Sequence, residues 1–281
     1  MAMEIRQTGV FGAEITGVDL ARLSDEEFGA IRQAFVDHGV VFFRDQHLTE
    51  DQHIAFARRW GQININRFFA AHPAYPEIAL VVKEAAQKDN IGGGWHTDHS
   101  YDEVPALGSI LLAREVPPSG GNTLFASMYA AYDALPDYLK REIEGARAVH
   151  SAKHIFGTNV REELRNADTR EGRFGNAAVA DVLADVTHPI ALVHPLSGRK
   201  AIYVNPAFTI GVVGRDEEAG RQLLAELYKH CVEGDFATEF VWAEGSVAFW
   251  DNRATWHYAL NDYHGHRREM HRITLEGEPL P

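Results

Sequence analysis

The sequence predicts a mainly β fold with flanking helices, of the double-stranded β-helix (jelly roll) kind. Three observations carry that expectation. Short strand-like runs recur at 78–83, 107–113, 190–194, 201–205, 238–243, 246–250 and 270–276, with turn residues between them. Helical periodicity is confined to a few stretches, so strands and helices do not alternate as a parallel α/β sheet requires. Many short strands with a few helices packed outside is the pattern of a two-sheet roll or barrel.

Taken in chain order, the first helix starts after Ser24, with Glu27 at the reciprocal position of a capping box. Phe28, Ile31 and Phe35 follow at helical spacing, and Gly39 stops it. Residues 40–44 (Val-Val-Phe-Phe-Arg) read as a buried strand. A second helix runs from Thr49, capped reciprocally by Gln52, through Ile54, Phe56 and Trp60 to Gly61. Further helices are expected at 127–145, bent or broken at Pro136, and at 216–233 around Leu223, Leu224 and Leu227. Glu244-Gly245 reads as a hairpin turn between strands 238–243 and 246–250. The stretch 145–187 has weak periodicity and predicts loops or short helices. Without internal repeats or a Ser/Pro/Gly-rich linker, residues 1–281 are expected to form a single domain.

Composition narrows the function classes. At 45% hydrophobic and 24% charged residues, the chain is not a disordered or collagen-like polymer. A balance of 27 − 40 = −13 disfavours nucleic acid and anionic membrane surfaces as partners. No apolar run approaches the roughly 20 residues of a membrane span. The N-terminus, Met1-Ala-Met-Glu-Ile-Arg-Gln, lacks the apolar core of an export signal, and one cysteine, Cys231, fits a reducing compartment. A cytoplasmic location is therefore expected. Fifteen histidines are many for 281 residues and give the first functional hint.

The segment Gly92-Gly-Gly-Trp-His96-Thr-Asp98-His-Ser-Tyr101 contains the chain's one His-x-Asp or His-x-Glu. On a strand, positions two apart share a face, so His96 and Asp98 can grip one metal ion. A surface strand with a polar face presents the same triplet. The C-terminal segment weighs against that bland reading. Phe249-Trp-Asp-Asn-Arg-Ala-Thr-Trp-His257 places a strand, a turn and a histidine in succession, and Arg268 and Arg272 follow 11 and 15 residues later. Two histidines and one carboxylate leave about half an octahedron open, the ligand set of non-haem Fe(II) oxygenases. A keto-acid cosubstrate also needs a cation for its distal carboxylate, which the arginine fork provides.

With these residues in view, the sequence resembles the taurine dioxygenase and aryloxyalkanoate dioxygenase family of Fe(II)/2-oxoglutarate enzymes. The resemblance runs from Gly12-Ala-Glu-Ile-Thr-Gly-Val-Asp-Leu20 to Thr274. It is most specific at Trp95-His-Thr-Asp98, Gly120-Gly-Asn-Thr123, Val204-Asn205, Trp250-Asp-Asn252 and the Arg268/Arg272 pair. It implies a jelly roll, with Fe(II) as cofactor and 2-oxoglutarate and O2 as cosubstrates. His96, Asp98 and His257 match the family's iron ligands. Thr123 and Arg268 match the residues that hold the distal carboxylate of 2-oxoglutarate, and Arg272 matches one that meets the anionic group of the prime substrate. His72 and Tyr75 resemble a family segment that contacts a sulfonate, and Phe156 and Phe208 fall near positions that wall the pocket. The Gly92 triplet leaves room beside the metal where taurine enzymes carry an amide side chain.

The implied reaction is decarboxylation of 2-oxoglutarate to succinate and CO2, coupled to hydroxylation of a small organic anion: a sulfonate, a sulfate ester, or an aryloxyalkanoate or other carboxylate. Family members are often dimers or tetramers, so a homo-oligomer is expected. A zinc-dependent hydrolase with the same three ligands, or a non-catalytic binding protein on the same fold, stays open at this point. Other groups near the motifs read as structural. His99 is expected on the opposite side of the strand from the metal, Arg253 and Arg267 in salt bridges or solvent, His264, His266 and His271 at the surface, and Cys231 in packing.

Overall fold

Alternation along a few strands sets the architecture. In β3 (Val40–Phe43) and β7 (Gly108–Glu115), Val40, Phe42, Leu111 and Ala113 pack inward between two sheets. Val41, Phe43, Ile110 and Leu112 pack outward under helices. That period of two is the mark of strands buried on both faces. The same division holds in β15 (Val247–Asp251), where Ala248 and Trp250 point inward and Val247 and Phe249 outward. These observations come from a computed structural model, which describes residues 3–158, 160, 168 and 177–280.

The larger sheet has the order β1 (Glu4–Gln7), β2 (Ala13–Thr16), β3, β15, β7, β17 (Arg268–Leu275), β6 (Tyr75–Lys83) and β5 (Ala71–His72), with β4 (Ile63–Asn64) also pairing β17. Facing it is a sheet of order β14 (Ala237–Phe240), β8 (Thr123–Ser127) and β16 (Thr255–Ala259). Phe42, Phe125, Phe240, Trp242, Trp250 and Met270 fill the space between them. Smaller sheets join β10 (Val186–Pro189), β9 (Arg147–His150) and β13 (Thr209–Val212), and β11 (Ala191–Val193) with β12 (Lys200–Ile202). The result is the expected mainly β jelly roll.

The helices form where the caps place them. α1 (Asp25–His38) carries the complete Ser24/Glu27 capping box and ends at Gly39, whose φ of 69° suits glycine. α2 (Glu50–Arg58) carries the Thr49/Gln52 box. Both cover the outer face of the larger sheet through Ile31, Phe35, Ile54 and Phe56. Pro136 separates α3 (Met128–Asp133) from α4 (Asp137–Ile143), as its missing N–H dictates. Two short helices, α5 (Lys153–Phe156) and α6 (Ala177–Val182), precede α7 (Glu217–Glu233), which buries Leu223, Leu224, Leu227 and Cys231. Among the described residues no helix is long and apolar enough to cross a membrane.

Two expectations are corrected. Gly245 does make a turn, with φ 75°, but β14 and β15 belong to different sheets, so the turn is a crossover and not a hairpin. The apolar runs on either side fit this equally well, because periodicity does not say which strand is the partner. Within 145–187, strands β9 and β10 form where loops or short helices were expected, pairing Arg147–His150 with Val186–Pro189. Residues 159, 161–167 and 169–176 of that stretch lie outside the described residues.

Candidate active site

The three expected ligands come together. His96 and His257 exchange backbone hydrogen bonds, at 3.1 and 2.8 Å, in an isolated antiparallel bridge. His257 rides on β16, but His96 and Asp98 lie in a loop that passes into a turn, so the strand expected for them is absent. Thr97 anchors this loop by donating to the Asn252 carbonyl at 2.5 Å. Asp98 Oδ1 lies 3.8 Å from His96 Nε2, and Oδ2 lies 3.8 Å from His257 Nε2. These spacings are too long for hydrogen bonds and short enough for one cation to be shared.

Supporting contacts prepare the donors. His96 Nδ1 is 2.8 Å from the Gly94 carbonyl, which can only accept, so Nδ1 carries the hydrogen and Nε2 keeps its lone pair. Burial, then His96 beside it, holds the His257 imidazole well below its ordinary range, neutral and able to ligate. Burial would raise the Asp98 carboxyl, but the Arg272 guanidinium, joined by His257, His96 and His99, outweighs it and keeps the group ionised far below the usual range. Arg272 Nη1 donates to Asp98 Oδ2 at 3.1 Å. Two imidazoles and an ionised carboxylate are a donor set that fits Fe(II).

The triad opens onto a cavity of about 760 Å³ that Arg268, Arg272, Thr123, Phe156 and Phe208 also line. On β17, Arg268, Met270 and Arg272 alternate with outward-facing residues, and this puts both guanidinium groups inside the roll. Arg268 is buried, and its Nε and Nη2 have no partner among the described residues. A buried cation in that condition fits an anionic ligand. Thr123 Oγ1 accepts from Trp242 Nε1 at 2.9 Å, which leaves the hydroxyl hydrogen available to a carboxylate. The Gly120-Gly121 turn presses against Arg268. A Cβ at Gly121 would sit 3.4 Å from Arg268 Cδ, on a backbone with φ 69°. At Gly92, where φ is 80°, a Cβ would lie 3.2 Å from His96 Cε1, so glycine keeps the space beside this ligand open.

The structure does not bring His72 and Tyr75 to the cavity. Val81 lines it, and Tyr75 is six residues back on β6, roughly 20 Å along an extended strand. Tyr75 packs instead on the helix-covered core, with its hydroxyl 3.4 Å from Asp51. His271 also departs from expectation. It is buried on the outward face of β17, between Arg114 and Glu269, and is not a surface group. His99 is structural as expected, but through a left-handed turn with φ 59° and not through strand alternation. Arg253 is buried in a two-pronged pair with Asp251, and Arg267 bonds Glu84, Glu115 and Glu269. The cationic character of the segment 253–272 therefore reaches the cavity through Arg268 and Arg272. Phe69, Ile91, Ile155 and Asn261 line the cavity without having been singled out. Phe69, three residues before His72, was within reach of the same motif.

The Taurine catabolism dioxygenase TauD, TfdA family matches residues 4–274. The chain belongs to this family. Similar proteins include the alpha-ketoglutarate-dependent 2,4-dichlorophenoxyacetate dioxygenase of Cupriavidus pinatubonensis, 35% identical over 282 residues that cover 94% of each chain. The alpha-ketoglutarate-dependent sulfate ester dioxygenase of Pseudomonas putida is 33% identical over 96% of this chain and 88% of its own. Among solved structures, AAD-2 in complex with Mn(II) and N-oxalylglycine superposes with a TM-score of 0.81 at 30% identity over the whole of both chains. As a TauD/TfdA family member the protein is a 2-oxoglutarate-dependent dioxygenase, with Fe(II) as cofactor and 2-oxoglutarate and O2 as cosubstrates.

Proposed function

We propose that His96, Asp98 and His257 hold the iron, that Arg268 and Thr123 take the distal carboxylate of 2-oxoglutarate, and that Arg272 receives the anionic group of a small organic substrate. The observation that carries the reading is the buried Arg268 guanidinium, with two nitrogens that have no partner among the described residues, lining the same cavity as the triad. Iron, when bound, supplies the oxygen-activating redox chemistry that side chains cannot. The rest is this chain's own work. His96 is fixed in one tautomer by Gly94. Thr123 and Arg268 orient one end of the cosubstrate by hydrogen bonds and charge. Phe156 and Phe208 exclude water from the substrate end. Arg272 turns an otherwise repulsive protein of net charge −13 into a local anion site.

The substrate class is a sulfonate, a sulfate ester or an aryloxyalkanoate-type carboxylate, oxidised at an aliphatic C–H, with succinate and CO2 as co-products. The relatives named above act on substrates of the last two kinds. Residues 1–281 work as one domain, a reading supported by β3 and β15, from opposite ends of the chain, being direct neighbours. A cytoplasmic homo-oligomer, dimer or tetramer, completes the reading. Oxygen uptake with and without 2-oxoglutarate, across a panel of these anions, is the test. Uptake that ignores 2-oxoglutarate overturns it, and anion hydrolysis without oxygen would point to the zinc-hydrolase alternative.

A further inference from the structure

A ring of contacts closes around Asp98 that the metal-binding geometry does not itself require. His99, next in the chain, is buried, and its φ of 59° is a conformation non-glycine residues take uncommonly. Its Nδ1 donates to Asp102 Oδ2 at 2.8 Å. The other Asp102 oxygen accepts from Arg67 Nη2. Asp102 is held by its backbone too: its N–H donates to the His99 carbonyl at 3.1 Å, and its carbonyl accepts from His188 Nε2 at 2.9 Å. Arg67 follows Asn66, whose Oδ1 accepts from the backbone N–H groups of Phe68 and Phe69 at 2.9 and 3.0 Å, a tight Asx-type turn. The Phe69 ring lies 4.3 Å from the Arg272 guanidinium, and Arg272 returns to Asp98.

The segment Asn66–Phe69 connects β4 to β5, strands of two residues each, so ladder pairing on either side of it is short. We propose that Asp102 is a positioning residue: by accepting from His99 and Arg67 together, it clamps the Asn66–Phe69 segment to the turn that carries Asp98, and so holds the Phe69 ring beneath Arg272. The inference rests on the reading of Arg272 as the anion site and deepens it. An arginine packed over an aromatic face keeps a fixed fork while its charge stays available. The clamp thus ties the aromatic wall of the substrate pocket and its cation to one turn, and that turn also carries an iron ligand.

The test uses the full chain as wild type, Asp102→Asn, Arg67→Leu and Arg67→Lys. Amide hydrogen exchange at Phe68 and Phe69 is expected to rise about fivefold or more in Asp102→Asn and Arg67→Leu, with α1 unchanged. Phenylglyoxal, read by mass spectrometry, should modify Arg272 about fivefold faster in those variants while Arg268 stays within about twofold of wild type. Arg67→Lys, which keeps the charge, should recover most of the protection. Unchanged exchange at Phe68 and Phe69 overturns the proposal. So does equal acceleration at Arg268 and Arg272, which would mark Asp102 as a general fold contact. Succinate release from 2-oxoglutarate alone separates the two readings: its absence in wild type sinks the dioxygenase assignment of the site, whereas exchange and labelling judge the clamp.

Discussion

On the cavity side of the roll, His96 in its loop and His257 on β16 of the smaller sheet turn their Nε2 atoms toward Asp98. On the helix-covered face of the larger sheet, His53 and His271 sit among Arg114, Glu50 and Glu269. The two clusters are similar in composition and lie close in sequence, since His271 adjoins Arg272. They differ in what each nitrogen faces. His271 accepts from Arg114 Nε at 3.2 Å and is paired with Glu269 at 3.0 Å, so both its nitrogens are spent. His53 is completely buried, and neither of its nitrogens has a partner among the described residues. Among the described residues, His96, Asp98 and His257 are the group whose ligand atoms converge, all within 4.8 Å of one another. Convergence onto an open cavity, and not residue type, separates a metal site from a packed polar cluster.

The strongest way to break this comparison is to remove one member from each cluster. His96→Ala or Asp98→Ala is expected to abolish Fe(II) binding and 2-oxoglutarate-dependent succinate formation. That loss should far exceed the roughly 10–100-fold typical of groups that only support a ligand. His271→Ala should cost about 1–3 kcal/mol of stability through unpaired buried neighbours, yet leave metal affinity intact. Metal titration and thermal melting on the three variants check both halves. Comparable metal loss from His271→Ala would erase the distinction.

The next effect belongs to Arg268, which shares a strand with His271 but faces the other way. Arg268→Ala leaves a buried carboxylate of the cosubstrate unpaired, a loss on the order of 2–5 kcal/mol. The 2-oxoglutarate requirement should rise by more than about tenfold while iron binding persists. Equal loss of both affinities would mean misfolding. An unchanged requirement would mean that another group holds the carboxylate.

These expectations were legible in the sequence to different depths. The caps of α1 and α2 and the break at Pro136 are local chemistry, so they read directly from residue order. The triad was legible because His-x-Asp and the His257/Arg268/Arg272 spacing are themselves local patterns. The hairpin at Gly245 was misread because pairing is a long-range property: β15 joins β3 across some 200 residues of chain. His271 was misread for a related reason. Its neighbours His264 and His266 are exposed, but β17 is a central strand whose outward face lies under α2, and burial there depends on a helix from the other end of the chain. His72 and Tyr75 carried a motif resemblance without the geometry, since the length of β6 places them away from the cavity.

A smaller effect sharpens the comparison within the cavity itself. Arg272→Ala should keep iron and 2-oxoglutarate bound and preserve slow succinate formation in the absence of substrate. It should lose coupled oxidation of the anion, at about 2–3 kcal/mol in apparent substrate affinity. Arg272→Lys keeps the charge without the planar fork, so it should recover part of the affinity. Product formed per succinate is the measurement, and near-native coupling in Arg272→Ala would place the anion elsewhere in the pocket.

The smallest effect at neutral pH comes from the other cluster. Burial, reinforced by Arg114 and His271, pushes the His53 imidazole down to about 3 from its ordinary 6.5. Between those values the unfolded chain binds a proton at this site that the folded chain refuses, so stability falls as the pH drops from 6.5 toward 3. The slope from this one group approaches about 1.4 kcal/mol per pH unit. His150, also pushed to about 3 by burial, adds a parallel loss, so the wild-type profile alone does not isolate His53. The difference between wild type and His53→Leu does. The leucine fills a similar volume and has no polar atoms to leave unpaired, so at pH 7 the variant should match wild type or exceed it by about 1 kcal/mol. Its advantage should then widen as the pH is lowered to 5, while iron affinity and 2-oxoglutarate turnover at pH 7 stay as they were. Chemical denaturation at pH 7, 6 and 5 measures this. A constant difference across the three would show that His53 does not resist protonation in the folded state, and a variant with weakened iron binding would show that the two clusters are coupled through the sheet.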